Sequence, residues 1–290
     1  MKTAPLTKLL APLFGLALLA GCNKADEPPK PAASSPATSY LETIKARDKL
    51  IVGVFTDKPP FGFVDESGRY VGFDTDIGRR LAKDLLGDEN KVEFVAVEPA
   101  SRIPFLQSDK VDLILANMTV TPERKEAVDF TNPNLRVAVQ AIVADGSPVQ
   151  KLDDLADKTI IVTTGTTADI WLTKNHPDWK LLKFEKNSES LQALANGRGD
   201  AYAQDNLILF SWAKQNPGYR VLPQLLGEEA PIAPAVKKGN TELRDWVNAE
   251  LAKLGEEKFL LKLYDQYVRK ELSDDTKPES VIVEGGKWQG

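Results

Sequence analysis

Apolar and polar positions along this chain follow two periods, one suited to strands and one to helices. Leu50–Val54 and Val111–Ala116 are apolar runs of strand length, and Lys91–Val97 alternates as a strand does. Asp74–Leu86 places Ile77, Leu81 and Leu85 on one helical face, and Gly87 ends it. Tyr40–Lys49 and Ser101–Gln107 read as helices, and Gly68–Gly72 as a hairpin return. Strand and helix in turn predict a largely parallel, doubly wound sheet. A second α/β unit starts near Val137. Val137–Ala144 is apolar, Leu152–Asp157 is a short helix, and Thr159–Val162 is a strand that turns through Thr163–Asp169 into a helix. Ser188–Asn196 is helical and Gly199–Gln204 a strand, and Asp205 precedes a helix carrying Leu207, Leu209 and Trp212. Pro231–Val236 returns in extended form, followed by helices at Thr241–Leu254 and Lys258–Lys270. Asp274–Gly290 is polar and reads as a loosely attached tail.

The front of the chain is of another kind. Lys2 and Lys8 precede the apolar run Leu9–Ala20, which is too short for an ordinary spanning helix and fits a signal peptide. Leu19-Ala20-Gly21-Cys22 resembles the bacterial lipobox, which implies cleavage before Cys22 and lipidation of that residue. The alternative is a plain secretory signal with a spare thiol. Residues 22–39, rich in Pro, Ala and Ser, bury no core and read as a flexible tether.

Composition narrows the chemistry. The 290 residues are 42% hydrophobic and 27% charged with net charge −5, ordinary for a globular protein of one or two domains. A mildly acidic chain with no basic run argues against a nucleic-acid partner. One cysteine excludes an intramolecular disulfide, and one histidine disfavours a His-based metal site or catalytic triad.

The stretch Leu113–Phe130 carries the first candidate chemistry. Thr121 suits an N-cap and Pro122 the first helical position, so Arg124 falls in the first turn, beside free N–H groups. A cation at that end of a helix opposes the dipole unless an anion sits there. Asn117, Thr119 and Thr121 lie just before it, and the group reads as a carboxylate pocket at a strand end. The other reading is a solvated arginine beside Glu123 or Glu126. The turn Thr163-Thr-Gly-Thr-Thr-Ala-Asp169 offers hydroxyls and N–H groups to an anion but lacks the Gly-Lys-Ser/Thr ending of a P-loop. Asp205 is either a plain N-cap or a cleft residue holding an ammonium group. Phe105–Asp112 and Leu194–Asp200 share the order helix end, turn, strand opening on aspartate, an echo that reads as two similar α/β lobes.

These pieces together resemble the periplasmic solute-binding proteins of polar amino-acid ABC transporters. The resemblance spans about residues 40–270. It rests on Pro60-Phe61-Gly62-Phe63, Val71-Gly72-Phe73-Asp74, Val111-Asp112 through Arg124, Asp129-Phe130, Gly165-Thr166-Thr167, Gly199-Asp200-Ala201 with Asp205, and Val236-Lys237-Lys238-Gly239. It implies an α/β, two-lobed periplasmic binding protein (type II) fold, each lobe a doubly wound sheet, joined by two hinge crossovers near Arg136 and Ala230. Lobe one would comprise residues 40–137 and 231–270, lobe two 138–230, with 1–21 the signal peptide and 271–290 the tail.

By the same resemblance Arg124 grips the α-carboxylate, where a planar fork suits better than an ammonium. Thr119 and the backbone of Ala116 and Asn117 lie around carboxylate and amine, Thr166 and Thr167 are second-lobe groups that reach the carboxylate on closure, Thr163 of the same turn joins the ligand-binding set, and Asp205 pairs with the α-ammonium. Phe55 stands where acidic-ligand relatives place a basic residue, and Lys58 where many place an aromatic lid. Arg102 resembles an arginine of acidic and cysteine binders. Asn134 and Pro231-Ile-Ala-Pro234 also depart from the common pattern. Gly53–Phe63, Gly87–Lys91, Ile114–Asn117, Ile232–Val236 and Glu284-Gly-Gly286 are most similar to the cysteine-binding lipoproteins of the family.

The implied protein is no enzyme. It captures a polar amino acid, L-cysteine before others, without metal or cofactor, and delivers it as a lipid-anchored periplasmic monomer to permease subunits. The rivals are another small or polar amino acid, a sensing domain, and a dehydratase-type enzyme on the same fold. Against the last, no nucleophile motif or metal cluster is visible, and His176 lies in Lys174-Asn-His-Pro177, an expected exposed helix end.

Overall fold

The computed structural model describes residues 39–288. The signal segment, Cys22 and nearly all of the tether lie outside the described residues.

The first part of the chain runs α1 (Tyr40–Arg47), β1 (Leu50–Val54), β2 (Asp57–Lys58), β3 (Gly62–Val64), β4 (Tyr70–Val71), α2 (Phe73–Leu86), β5 (Val92–Ala96), α3 (Arg102–Gln107), β6 (Leu113–Ile114), α4 (Pro122–Ala127), β7 (Val128–Phe130) and β8 (Leu135–Val137). Then come β9 (Val139–Ala144), β10 (Thr159–Thr163), α5 (Thr167–Asn175), β11 (Lys180–Phe184), α6 (Asn187–Ala195), β12 (Ala201–Asp205), α7 (Asn206–Gln215) and β13 (Tyr219–Val221). The chain returns through β14 (Ala230–Ile232), β15 (Ala235–Lys237), α8 (Thr241–Glu256) and α9 (Phe259–Leu263).

Two sheets carry the architecture, in the orders β5-β1-β6-β15-β7 and β11-β10-β12-β9-β13. Each has three parallel strands with the earliest in the middle, and antiparallel partners beyond. This common plan is the physical content of the echo between the two aspartate-opened strands. The sheets are less purely parallel than strand–helix alternation predicts, because β15 and β9 enter directly from the connections between the sheets.

Both faces of each sheet are covered, as parallel strands require. Along β1 the period of two sends Leu50, Val52 and Val54 toward Ile77 and Leu81 of α2 and Val247 and Leu251 of α8. Ile51 packs on the opposite face with Leu106 of α3. In the second sheet Ile160 and Val162 pack with Leu172 of α5, and Ile161 with Ala193 of α6 and Leu209 of α7. Gly87, with φ of 82°, closes α2 by donating to the Lys83 carbonyl.

Two crossovers join the sheets, and they pair with each other. β8 and β14 run antiparallel, Val137 opposite Ala230 and Arg136 opposite Pro231. The C-terminal segment corrects an expectation. It is not loosely attached: Leu272, Val281, Ile282 and Val283 are buried. Arg136 N–H donates to the Val281 carbonyl and Val283 N–H to that of Asn134, so the segment lies along the crossover strand. Glu284 then accepts from the Leu260 and Leu261 N–H groups at the start of α9. Three consecutive apolar residues in a polar stretch are too few to show a period, yet they cover an otherwise open strand edge. No helix among the described residues is long and apolar enough to cross a membrane.

Candidate functional site

In open α/β sheets, ligands sit beyond the carboxyl ends of the strands. Here the carboxyl ends of β1, β6, β10 and β12 converge on one small, nearly filled cavity between the two sheets. It is lined by Phe55, Lys58, Pro99, Arg102, Asn117, Thr119, Arg124, Thr166, Thr167, Gln204 and Asp205.

Arg124 enters as the sequence suggests. Thr121 caps α4 by accepting from Arg124 N–H at 3.2 Å, with Pro122 in the first turn. The guanidinium is buried; it donates to Thr119 O at 2.8 Å and crosses to the second lobe, to Gly165 O at 3.1 Å and Thr167 Oγ1 at 3.4 Å. Burial pulls its pKa down to about 10, against the opposing pull of Asp205 and Glu123, so it stays charged at neutral pH.

Asp205 sits at the N-cap position of α7, but its side chain caps nothing. Its carboxylate instead accepts from Lys58 Nζ at 2.9 Å, a buried ion pair between the lobes. Of the two readings open in the sequence, the geometry favours the cleft.

Arg102 is buried at the start of α3, and its donors meet only backbone carbonyls: Pro99 at 3.0 Å, Ala116 at 2.9 Å, Asn117 at 3.1 Å and Gly165 at 3.5 Å. Desolvation first, then Arg124, pull its pKa well below the usual arginine value. Lys58 Nζ and the Arg102 guanidinium lie 5.3 and 5.6 Å from the centre of the Phe55 ring.

Asn117 adopts φ of 43°, a left-handed conformation that asparagine tolerates better than most residues. Its N–H donates to Asp74 at 3.3 Å, while both polar atoms of its buried side chain have no protein partner. Asp74 is itself buried at the start of α2, and desolvation pushes its pKa up to about 7.

Two expected site residues do not line the cavity. Ala116 offers its carbonyl to Arg102. The Thr163 side chain points off β10 into the lobe, where its hydroxyl bonds Ser190 at 2.8 Å and Tyr202 at 2.9 Å. Thr166 Oγ1 holds the Thr163 carbonyl at 2.7 Å, so Thr163 supports the turn from behind. Pro99 and Gln204 line the cavity unannounced. Gln204 donates to Asn187 and to Tyr202 and accepts from Asp205 N–H, which fixes the strand end. The available signal was a polar residue in an otherwise small and apolar strand, directly before Asp205.

The lobes meet at two further points. Gly165 has φ of 77°, and a Cβ there would stand 2.8 Å from Ala100 Cα. Asp57 of β2 accepts from Ser188 N–H at 2.9 Å and Asn187 Nδ2 at 3.3 Å, at the start of α6. A wider groove behind the crossovers includes Phe210, Lys214 and Glu271, but Lys214 bonds the Leu272 carbonyl and Glu271 accepts from Ser211 and Gln215. His176 is half-buried rather than exposed, stacked on Trp179 with centroids 3.8 Å apart and remote from the cavity lining. Among the described residues no group of His, Cys, Asp and Glu is placed to hold a metal ion.

Residues 50–270 match the bacterial extracellular solute-binding proteins, family 3. The chain belongs to this family. Its fold is accordingly the two-lobed type II plan of the periplasmic amino-acid-binding proteins. A crystal structure of the cysteine-binding protein from Campylobacter jejuni is similar at TM-score 0.83 and 46% identity, covering 85% of this chain and 99% of that one. The solute receptor for L-cysteine of Neisseria gonorrhoeae superposes at TM-score 0.82 with 47% identity, over 84% of this chain and 99% of that one. The ABC transporter glutamine-binding protein GlnH of Bacillus subtilis is 34% identical over 264 residues, 90% of this chain and 96% of its own length. Family 3 members of this kind are solute-binding components of amino-acid ABC transporters, working in the periplasm or outside the cell.

Proposed function

We propose that this family 3 protein captures L-cysteine and hands it to the permease subunits of an ABC importer, held at the membrane by a lipid on Cys22. One observation carries the ligand reading: a guanidinium in one lobe and a carboxylate in the other line the same small cavity. Arg124 takes the α-carboxylate in a two-pronged, charge-assisted contact, joined by Thr119, Thr166 and Thr167. Asp205 takes the α-ammonium, and Lys58, Phe55 and Arg102 bound the little space left for a side chain. So small a space favours the short side chain of cysteine over that of glutamine. The higher identity to the two cysteine binders than to the glutamine-binding relative supports the same ligand. Capture needs no chemistry: contacts that form only when both lobes hold the ligand favour closure.

Titration calorimetry against the common amino acids tests the reading. L-cysteine is expected to bind about a hundredfold or more tighter than glutamine, a gap of roughly 2.8 kcal/mol. Arg124→Ala should remove binding, at a cost of roughly 2–5 kcal/mol, while the circular dichroism stays native. Tighter binding of glutamine, or wild-type affinity in the variant, would overturn the assignment.

A further inference from the structure

The cavity carries more positive charge than its own carboxylates answer. Lys58, Arg102 and Arg124 all line it, and Asp205 is the only carboxylate in the lining. Asp74 stands behind Asn117, with its carboxyl half-charged near neutrality. Asp169, below the Gly165 turn, is matched by Lys183 at 2.6 Å. Outside the lining, Asp57 is engaged by the start of α6, and Glu98 is pushed up to about 7 by burial and by Asp57, Glu189 and Glu185, with Lys186 opposing. Arg102 and Arg124 converge on the single Gly165 carbonyl, and neither has a carboxylate partner within bonding distance among the described residues. Even with Asp74 fully ionised, three cations face two buried carboxylates; Glu123, which also acts on Arg124, is exposed on α4 and matched by Lys174 at 3.7 Å. A zwitterion adds one charge of each sign and leaves the surplus in place. Buried charge without a counter-charge is costly, so the cavity calls for one more anionic group on the ligand.

We propose that the protein binds L-cysteine as its thiolate, with Lys58 and Arg102 as the counter-charges of the sulfur. The inference rests on the cysteine reading above. An ammonium docked on Asp205 lies beside Lys58, which already bonds that carboxylate, and Lys58 and Arg102 both lie against the Phe55 ring. A free thiol titrates near about 8.5, and cationic neighbours bring such groups down to roughly 3.5–7.5. On binding at neutral pH the S–H bond breaks, the electron pair stays on sulfur, and the proton leaves to the buffer. Lys58 and Arg102 thereby select against serine, which has the same shape and no accessible anion.

The Cys22→Ser protein, which has no thiol of its own, allows a direct test. Titrated with L-cysteine at about pH 6.5, where the free amino acid is almost wholly thiol, it should develop the ultraviolet band of one thiolate per bound ligand. Calorimetry in buffers of different ionisation enthalpy should show about one proton more released with cysteine than with any neutral amino acid that binds. Serine should bind at least about a hundredfold more weakly. Lys58→Met should lose the band or weaken cysteine binding by about tenfold or more. Tight cysteine binding with no thiolate band would overturn the thiolate proposal and leave the cysteine reading standing. Glutamine or aspartate binding in place of cysteine would overturn the reading beneath it.

Discussion

Asp74 shows how one side chain ties the site to the stability of the whole. It is 1% exposed, and burial pushes its carboxyl up to about 7. Between the unfolded value near about 3.9 and that folded value, the folded protein binds more protons than the unfolded chain. Its stability therefore falls as pH rises from about 4 to about 7, by up to roughly 4 kcal/mol from this group. Asp74→Asn should flatten that part of the profile, which urea unfolding across a pH series would read; identical slopes in variant and parent would contradict it. Single residues were legible in proportion to how local their partners are. Arg124 announced itself through Thr121 and Pro122. Lys58 did not show its burial, because a lysine is ordinarily exposed and its partner Asp205 is 147 positions away. Thr163 departs from expectation because the turn's threonines look alike in sequence, while only Thr166 and Thr167 line the cavity.

Helices and strands repeat the lesson at larger scale. The capped and amphipathic helices α2, α4 and α8 stand where the pattern puts them, because caps and periods are short-range. The expected Val111–Ala116 strand shrinks to Leu113–Ile114, since neighbours offer a ladder only over that length. β2 leaves no pattern in the sequence, being only two residues paired with β3. Yet β2 supplies Asp57 to the start of α6, whose own N-cap residue, Lys186, provides no side-chain bond. A helix of one lobe is thus capped from the other. Asp57→Ala should leave each lobe folded and weaken ligand binding by about three- to thirtyfold, the usual worth of a cap. Stopped-flow release should show the loss as faster dissociation, and unchanged affinity would remove Asp57 from the closure contacts.

For the whole molecule, the two lobes and paired crossovers deliver the arrangement that the resemblance implied. The proposed anchor belongs to this scale as well. With a lipid on Cys22, residues 23–39 would give the binding lobes reach from a membrane surface. Cys22→Ser should move the protein from the membrane fraction to the soluble one on carbonate extraction; retention in the membrane would refute the anchor. Where Gly165 meets Ala100, main chain touches main chain. The absence of a side chain there works as a spacer of zero thickness, because any Cβ at residue 165 would press on Ala100 across the seam. Gly165→Val should therefore hold the two lobes ajar at this one point.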